Sequence, residues 1–183
     1  MFRRYLPPTA PEAAVQPPVD PNETATVRRI VTRLEALPPE RARLVASAAY
    51  TLARAANADM DISDEETALM ERMLQDNGAL DEPTAIVVVE MAKLQARTVG
   101  GTEDYVVTRQ FRQLATEQER LNVLRACFAI EAVNGEISSE ESAVVNEIAR
   151  ELDIDPAAVS GVRADFHEQL SSVRAVRRAA EGR

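Results

Sequence analysis

The chain predicts an all-α fold, a compact bundle of seven to eight short helices, and three observations carry that prediction. From Asn22 onward, apolar residues recur at the three-to-four-residue spacing of a helix. Only six glycines interrupt 183 residues. The strict apolar–polar alternation of a half-buried strand is almost absent, so strand content close to zero is expected.

Residues 1–23 hold six of the ten prolines. Proline fixes φ, removes a backbone donor and pushes its predecessor towards extended conformations. This stretch reads as a disordered, Pro-rich arm. Asn22 or Thr24 can cap a helix running to about Leu37, with Ile30, Val31 and Leu34 on one face. Pro38 and Pro39 end it, and Pro39 suits the first turn of the next helix, which runs to about Ala56. Ser63 opens a third helix, stopped near Asn77–Gly78. Asp81 begins a fourth, ending near Gly100–Gly101, and Thr102 caps a short fifth reaching Leu114. Thr116 caps a long sixth through Leu124, Phe128 and Ile130. Ser138 caps a seventh through Val144, Val145 and Ile148. Asp155–Pro156 opens an eighth, expected to continue into a basic tail over 171–183. The domain is expected to span residues 24–170.

Charge is unevenly spread. The net charge is −9, yet residues 57–82 alone carry −8 and residues 131–155 carry −7, leaving +6 for the remainder. An acidic chain of this kind is a poor match to nucleic acid as main partner. A single cysteine, Cys127, excludes a disulfide framework and a Cys-based zinc site. A single histidine, His167, would have to serve alone in any metal centre or nucleophilic triad. No run of about 18 apolar residues exists to span a membrane. Met1 to Leu6 has two arginines but no apolar stretch behind it, so no secretory signal is expected and cytoplasm is the expected compartment.

The two acidic blocks resemble each other. Residues 58–74 read ADMDISDEETALMERML and residues 133–149 read VNGEISSEESAVVNEIA. At an offset of 75, Ile62 meets Ile137, Ser63 meets Ser138, Glu65 meets Glu140 and Glu66 meets Glu141. The match describes an internal duplication of a helix–acidic turn–helix unit. Two copies are too few for an open solenoid, so they are expected to pack together in one domain.

Neither turn is an EF-hand. Counting from Asp59, the glycine required at position 6 is Asp64, and the bidentate glutamate required at position 12 is Met70. Two other readings of the acids stand. In one, Ser63–Glu66 and Ser138–Glu141 are capping boxes, and the neighbouring acids complement the helix dipole. In the other, the acids ahead of the caps converge at one end of the bundle without local basic partners. Asp59, Asp61, Glu66, Asn134, Glu136 and Glu141 are then candidate ligands of a hard divalent cation such as Ca²⁺, Mg²⁺ or Mn²⁺.

Asn57-Ala58-Asp59-Met60-Asp61-Ile62-Ser63-Asp64-Glu65-Glu66 resembles the A-D-G-x-I-S-x-E-E signature of TerB-like domains, the tellurite-resistance family also found in some membrane-bound J-domain co-chaperones. Val133 to Glu141 resembles the same signature. The resemblance covers about residues 40–155. Each copy departs once: Met60 stands where the first has glycine, and Asn134 where the second has aspartate. The resemblance implies duplicated helical units with an acidic patch and an association with tellurite and other stress responses.

Three functions compete. The first is a TerB-like, non-enzymatic stress-response module whose acidic end takes a divalent cation or a basic protein partner. The second is an interaction adaptor without an ion site. The third, a metal-dependent hydrolase, is weakest, because no histidine, cysteine or positioned nucleophile accompanies the acids. Cys127 belongs to a packed helix face, and His167 to an exposed late helix. Arg174, Arg177, Arg178 and Arg183 form a basic end suited to a solvated helix terminus or to an acidic partner surface.

Overall fold

The computed structural model describes residues 32, 35–58, 60–78, 80–101 and 103–181. The expected arm, most of the expected helix over 24–37, Asp59, Thr102 and Arg183 lie outside them. The described residues form eight α-helices: α1 (Pro39–Ala56), α2 (Asp64–Gly78), α3 (Glu82–Val99), α4 (Asp104–Leu114), α5 (Glu117–Glu131), α6 (Ser139–Glu151), α7 (Pro156–Asp165) and α8 (Ser171–Glu181), with a 3₁₀ turn at His167–Gln169 before the last. No strand is present among the described residues; Ile137 and Leu170 form one isolated bridge.

Helix α1 is the centre of the bundle. It packs on α2, α3, α4, α5 and α6, and every residue from Ser47 to Ala56 is buried. A helix surrounded on all sides must be small and apolar all round, which explains its run of alanines. Ser47 and Thr51 are buried polar residues that donate their hydroxyls to carbonyls one turn back; the charged exception is Arg54, buried among Ala53, Ala55 and Ala56.

The duplication is visible in the packing. The first helices of the two units, α1 and α5, touch, and each unit's second helix reaches the other unit's first: α2 packs on α5 and α6 on α1. Such reciprocity is what two related units produce when they share one core. The turns repeat bond for bond. Asn57, Ala58 and Met60 donate backbone N–H groups to Ala53, Ala55 and Asn57; Ala132, Val133 and Gly135 donate to Phe128, Ile130 and Ala132. Ile62 and Ile137 then drop into the core as equivalent anchors.

The tail departs from expectation. The eighth expected helix does not run on into the basic end. It stops at Asp165, and Leu170 crosses to Ile137, whose N–H donates to the Gln169 carbonyl at 2.8 Å and whose carbonyl accepts from Ser171 at 2.9 Å. Helix α8 therefore begins beside the second acidic turn. No helix among the described residues is long and apolar enough to cross a membrane.

Candidate functional site

The acids of the two turns are built by local geometry first. The Ser63 hydroxyl accepts from the Glu66 N–H at 3.2 Å, and a Glu66 carboxylate oxygen accepts from the Ser63 N–H at 2.7 Å and the Ser63 hydroxyl at 2.9 Å. In the second unit the Glu141 carboxylate accepts from the Ser138 N–H at 2.6 Å, and the Ser138 hydroxyl from the Glu141 N–H at 3.1 Å. Both are capping boxes. Glu66 and Glu141 are buried, at 3% and 8% exposure, and one carboxylate oxygen of each is held by the N–H of its capping serine.

The remaining candidates separate. Asp59 lies outside the described residues, and Asp61 and Asn134 are exposed. Glu136 lies 3.6 Å from Arg174 and 4.0 Å from Arg178, both on α8, and Arg174 also donates to the Gly135 carbonyl at 2.7 Å. The expectation of acids without local basic partners therefore fails at Glu136, because the tail folds back onto the second turn. The basic end spends these arginines within its own chain, with Arg177 on Glu168 at 2.6 Å, a contact that holds the Glu168 carboxyl below the ordinary carboxylate range.

The turns also border different clefts. Ala58 and Met60 line a polar cleft of about 440 Å³ with Arg97, Gly100 and Asp104, whereas Glu136 lines one of about 530 Å³ with Arg163 and Arg178. Among the described residues no three His, Cys, Asp or Glu side chains come together in a group able to hold a metal ion. As a donor set, the six candidates comprise two caps, one ion-paired acid, two exposed side chains and Asp59.

What the first turn does border is a charge cluster that sequence reasoning missed. The Arg54 guanidinium meets Glu151 at 2.6 Å and Glu147 at 3.0 Å, both on α6, and Asp104 of α4 at 3.6 Å. It also donates to the Thr108 hydroxyl at 3.2 Å. Burial alone would lower the Arg54 pKa, but the hydrogen bond and charge of Glu151, with Asp104 and Glu147, outweigh it and hold the cation more firmly charged. Asp104 accepts from the Tyr50 hydroxyl at 2.9 Å. Burial, followed by that hydrogen bond, pushes the phenol well above its usual range. The signal was present, since an arginine inside an alanine run is out of place unless paired; its partners, 50 to 97 residues away, were not readable.

Outside this cluster the expected minor residues fall where the sequence put them. Cys127 is fully buried, and His167 is exposed. On α2, Asp64 and Glu65 are exposed and make no ion pair with another described residue.

A family model described as tellurite resistance protein TerB matches residues 44–164. That span takes in all but the first five residues of α1 and all but the last residue of α7, and includes both turns and all members of the Arg54 cluster. No curated protein and no solved structure shows a significant match.

Proposed function

The chain belongs to the TerB family, and we propose that it is a non-enzymatic docking module of the tellurite-resistance and stress-response type. Its acidic first turn would receive a basic surface of a protein partner. The observation that carries this reading is the division of labour among the acids. Glu66 and Glu141 are consumed as caps and Glu136 by α8, while Asp64 and Glu65 stand exposed at the start of α2 beside Asp61. Exposed like charges at a helix start suit salt-sensitive recognition of a cationic surface better than the close, converging oxygens that a hard cation needs.

The experiment is a comparison of wild type with the triple variant Asp61→Asn, Asp64→Asn, Glu65→Gln. Wild type should bind a fluorescent oligolysine probe, weaken as salt rises, and lose most of that binding in the triple variant. Thermal scans with Ca²⁺, Mg²⁺, Mn²⁺ and EDTA run beside it. A rise in melting temperature with millimolar cation that disappears in the triple variant would replace the docking reading with a cation site.

A further inference from the structure

A cavity of about 100 Å³ lies where α5 of the second unit meets α1 and α2 of the first, with Phe111 of α4 in its wall. Its interior is apolar: Leu52, Phe111 and Ala126 line it and are at most 2% exposed. Its polar lining is confined to Arg41, Glu119 and Asn122. The Arg41 and Glu119 side chains keep 32% and 35% exposure, so the polar end is the mouth. Protein cores are close-packed, and the walls of an empty void lose their contacts on one side. An apolar interior with a few polar groups gathered at one end is the form that small-molecule sites take between the helices of bundles.

The mouth selects the chemistry of a guest. One Glu119 oxygen accepts from the Thr116 N–H at 2.8 Å and from the Thr116 hydroxyl at 2.9 Å, and the other meets Arg41 at 3.2 Å. The Asn122 amide oxygen accepts from the Gln118 side chain at 2.9 Å. The acceptors at the mouth are therefore engaged, and what it offers is donors: the Arg41 guanidinium, whose planar fork matches a carboxylate, and the Asn122 NH₂. Size sets the rest. An apolar cavity of about 150 Å³ accepts benzene, so this one has room for about four carbons.

We propose that this cavity binds a short-chain monocarboxylate, with about four apolar carbons in the interior and the carboxylate held at the mouth by Arg41 and Asn122. Arg41 then serves two carboxylates, that of the guest and that of Glu119. The inference is independent of the acidic first turn.

The test is thermal unfolding of the full chain with pentanoate, acetate or 1-pentanol, each at about 20 mM and matched ionic strength. Acetate shares the head group but cannot fill the interior, and pentanol shares the body without the charge. The melting temperature of wild type should rise by about 2–5 °C with pentanoate, by less than about 1 °C with acetate, and with pentanol by less than half the pentanoate rise. Arg41→Met should bring the pentanoate response down to that of pentanol. Ala126→Val, which fills the interior, should abolish both responses, and Ala48→Val takes its place if that variant does not fold. In wild type, pentanoate should shift the methyl NMR signals of Ala48 and Ala126, which locates the guest without any substitution. No rise with pentanoate, a rise without those methyl shifts, or a rise that survives the filled cavity would overturn the proposal. Equal responses to pentanol and pentanoate, or a pentanoate advantage retained in Arg41→Met, would overturn it as well, leaving a void that does not recognise the carboxylate.

Discussion

Met60 and Gly135 occupy the same step of the two repeated turns and share the left-handed backbone, with φ of +69° and +82°. Their N–H groups donate to equivalent carbonyls, those of Asn57 and Ala132. The fold therefore imposes on a methionine a conformation suited to glycine, at a cost of roughly 1–2 kcal/mol for an L-residue. Met60 is 84% exposed and recovers little of that by packing.

The first prediction is an asymmetry. Met60→Gly should raise stability by up to about 1 kcal/mol, since relief of strain is partly offset by the freedom glycine gives the unfolded chain. Gly135→Ala should lower it by about 1 kcal/mol. Its Cβ would meet nothing within 4 Å, so the loss would be of backbone origin. Urea denaturation of both variants checks this, and equal effects of the same sign would contradict the equivalence of the two turns.

The second prediction concerns the caps. Glu66→Gln and Glu141→Gln should be tolerated, because glutamine also closes a capping box. Ser63→Ala and Ser138→Ala should each cost about 1 kcal/mol by removing the acceptor for the N3 amide. Comparable losses in the glutamine variants would show that the carboxylate charge, rather than the cap, matters at these positions.

The third prediction concerns the buried cation. Arg54→Met should destabilise by about 3–5 kcal/mol, because it leaves Asp104 and Glu151 facing one another without their shared counter-charge. Adding Glu151→Gln should restore part of the loss, and Glu147→Gln alone should cost less than about 1 kcal/mol, since Glu147 is half exposed. Melting curves of the three variants test the ranking.

The fourth prediction is a pH dependence. Thr116 and Glu119 form a third capping box, at the start of α5. The Thr116 N–H, with smaller help from the Thr116 hydroxyl and Arg41, holds the Glu119 carboxyl below its usual range. A depressed folded-state pKa means the unfolded chain binds its proton first as pH falls. The stabilisation is therefore present above the ordinary glutamate pKa of about 4.3 and is lost as pH drops through the lowered value. Glu119→Gln should flatten that part of the acid limb in a melting-temperature profile, and an unchanged limb would show that Glu119 does not contribute to it.

The fifth prediction concerns Cys127. Burial, then the nearby charge of Glu131, pushes its thiol far above the usual range, so a thiol reagent should label it only after unfolding. Because the folded-state pKa is raised, stability should begin to fall as pH rises past about 8.5, where the unfolded chain forms thiolate. Cys127→Ser should cost about 1–3 kcal/mol, from a hydroxyl placed in an apolar core.

How much of this was legible follows from the range of each interaction. Ser63 with Glu66, Ser138 with Glu141, the Pro39 start of α1 and the offset-75 duplication are local or repetitive patterns. A capping box closes over three residues, and an apolar stripe is defined by one helix alone. The all-α class, the helix starts at Ser63, Thr116, Ser138 and Asp155, and the burial of Cys127 followed from the sequence for that reason.

Only the tertiary structure decided which charges meet. Arg54 finds Asp104, Glu147 and Glu151 because α1 is enclosed by α4 and α6, a fact of packing that no spacing in the chain encodes. Glu136 finds Arg174 because the helix expected to continue past Asp165 breaks and Leu170 bridges to Ile137. Local sequence determined where helices begin and which face of each is apolar, since backbone capping and side-chain periodicity act within a few turns. The pairing of ions 38 to 97 residues apart depended on how those faces closed on one core, because Coulombic contact reads distance in space and takes no account of separation along the chain.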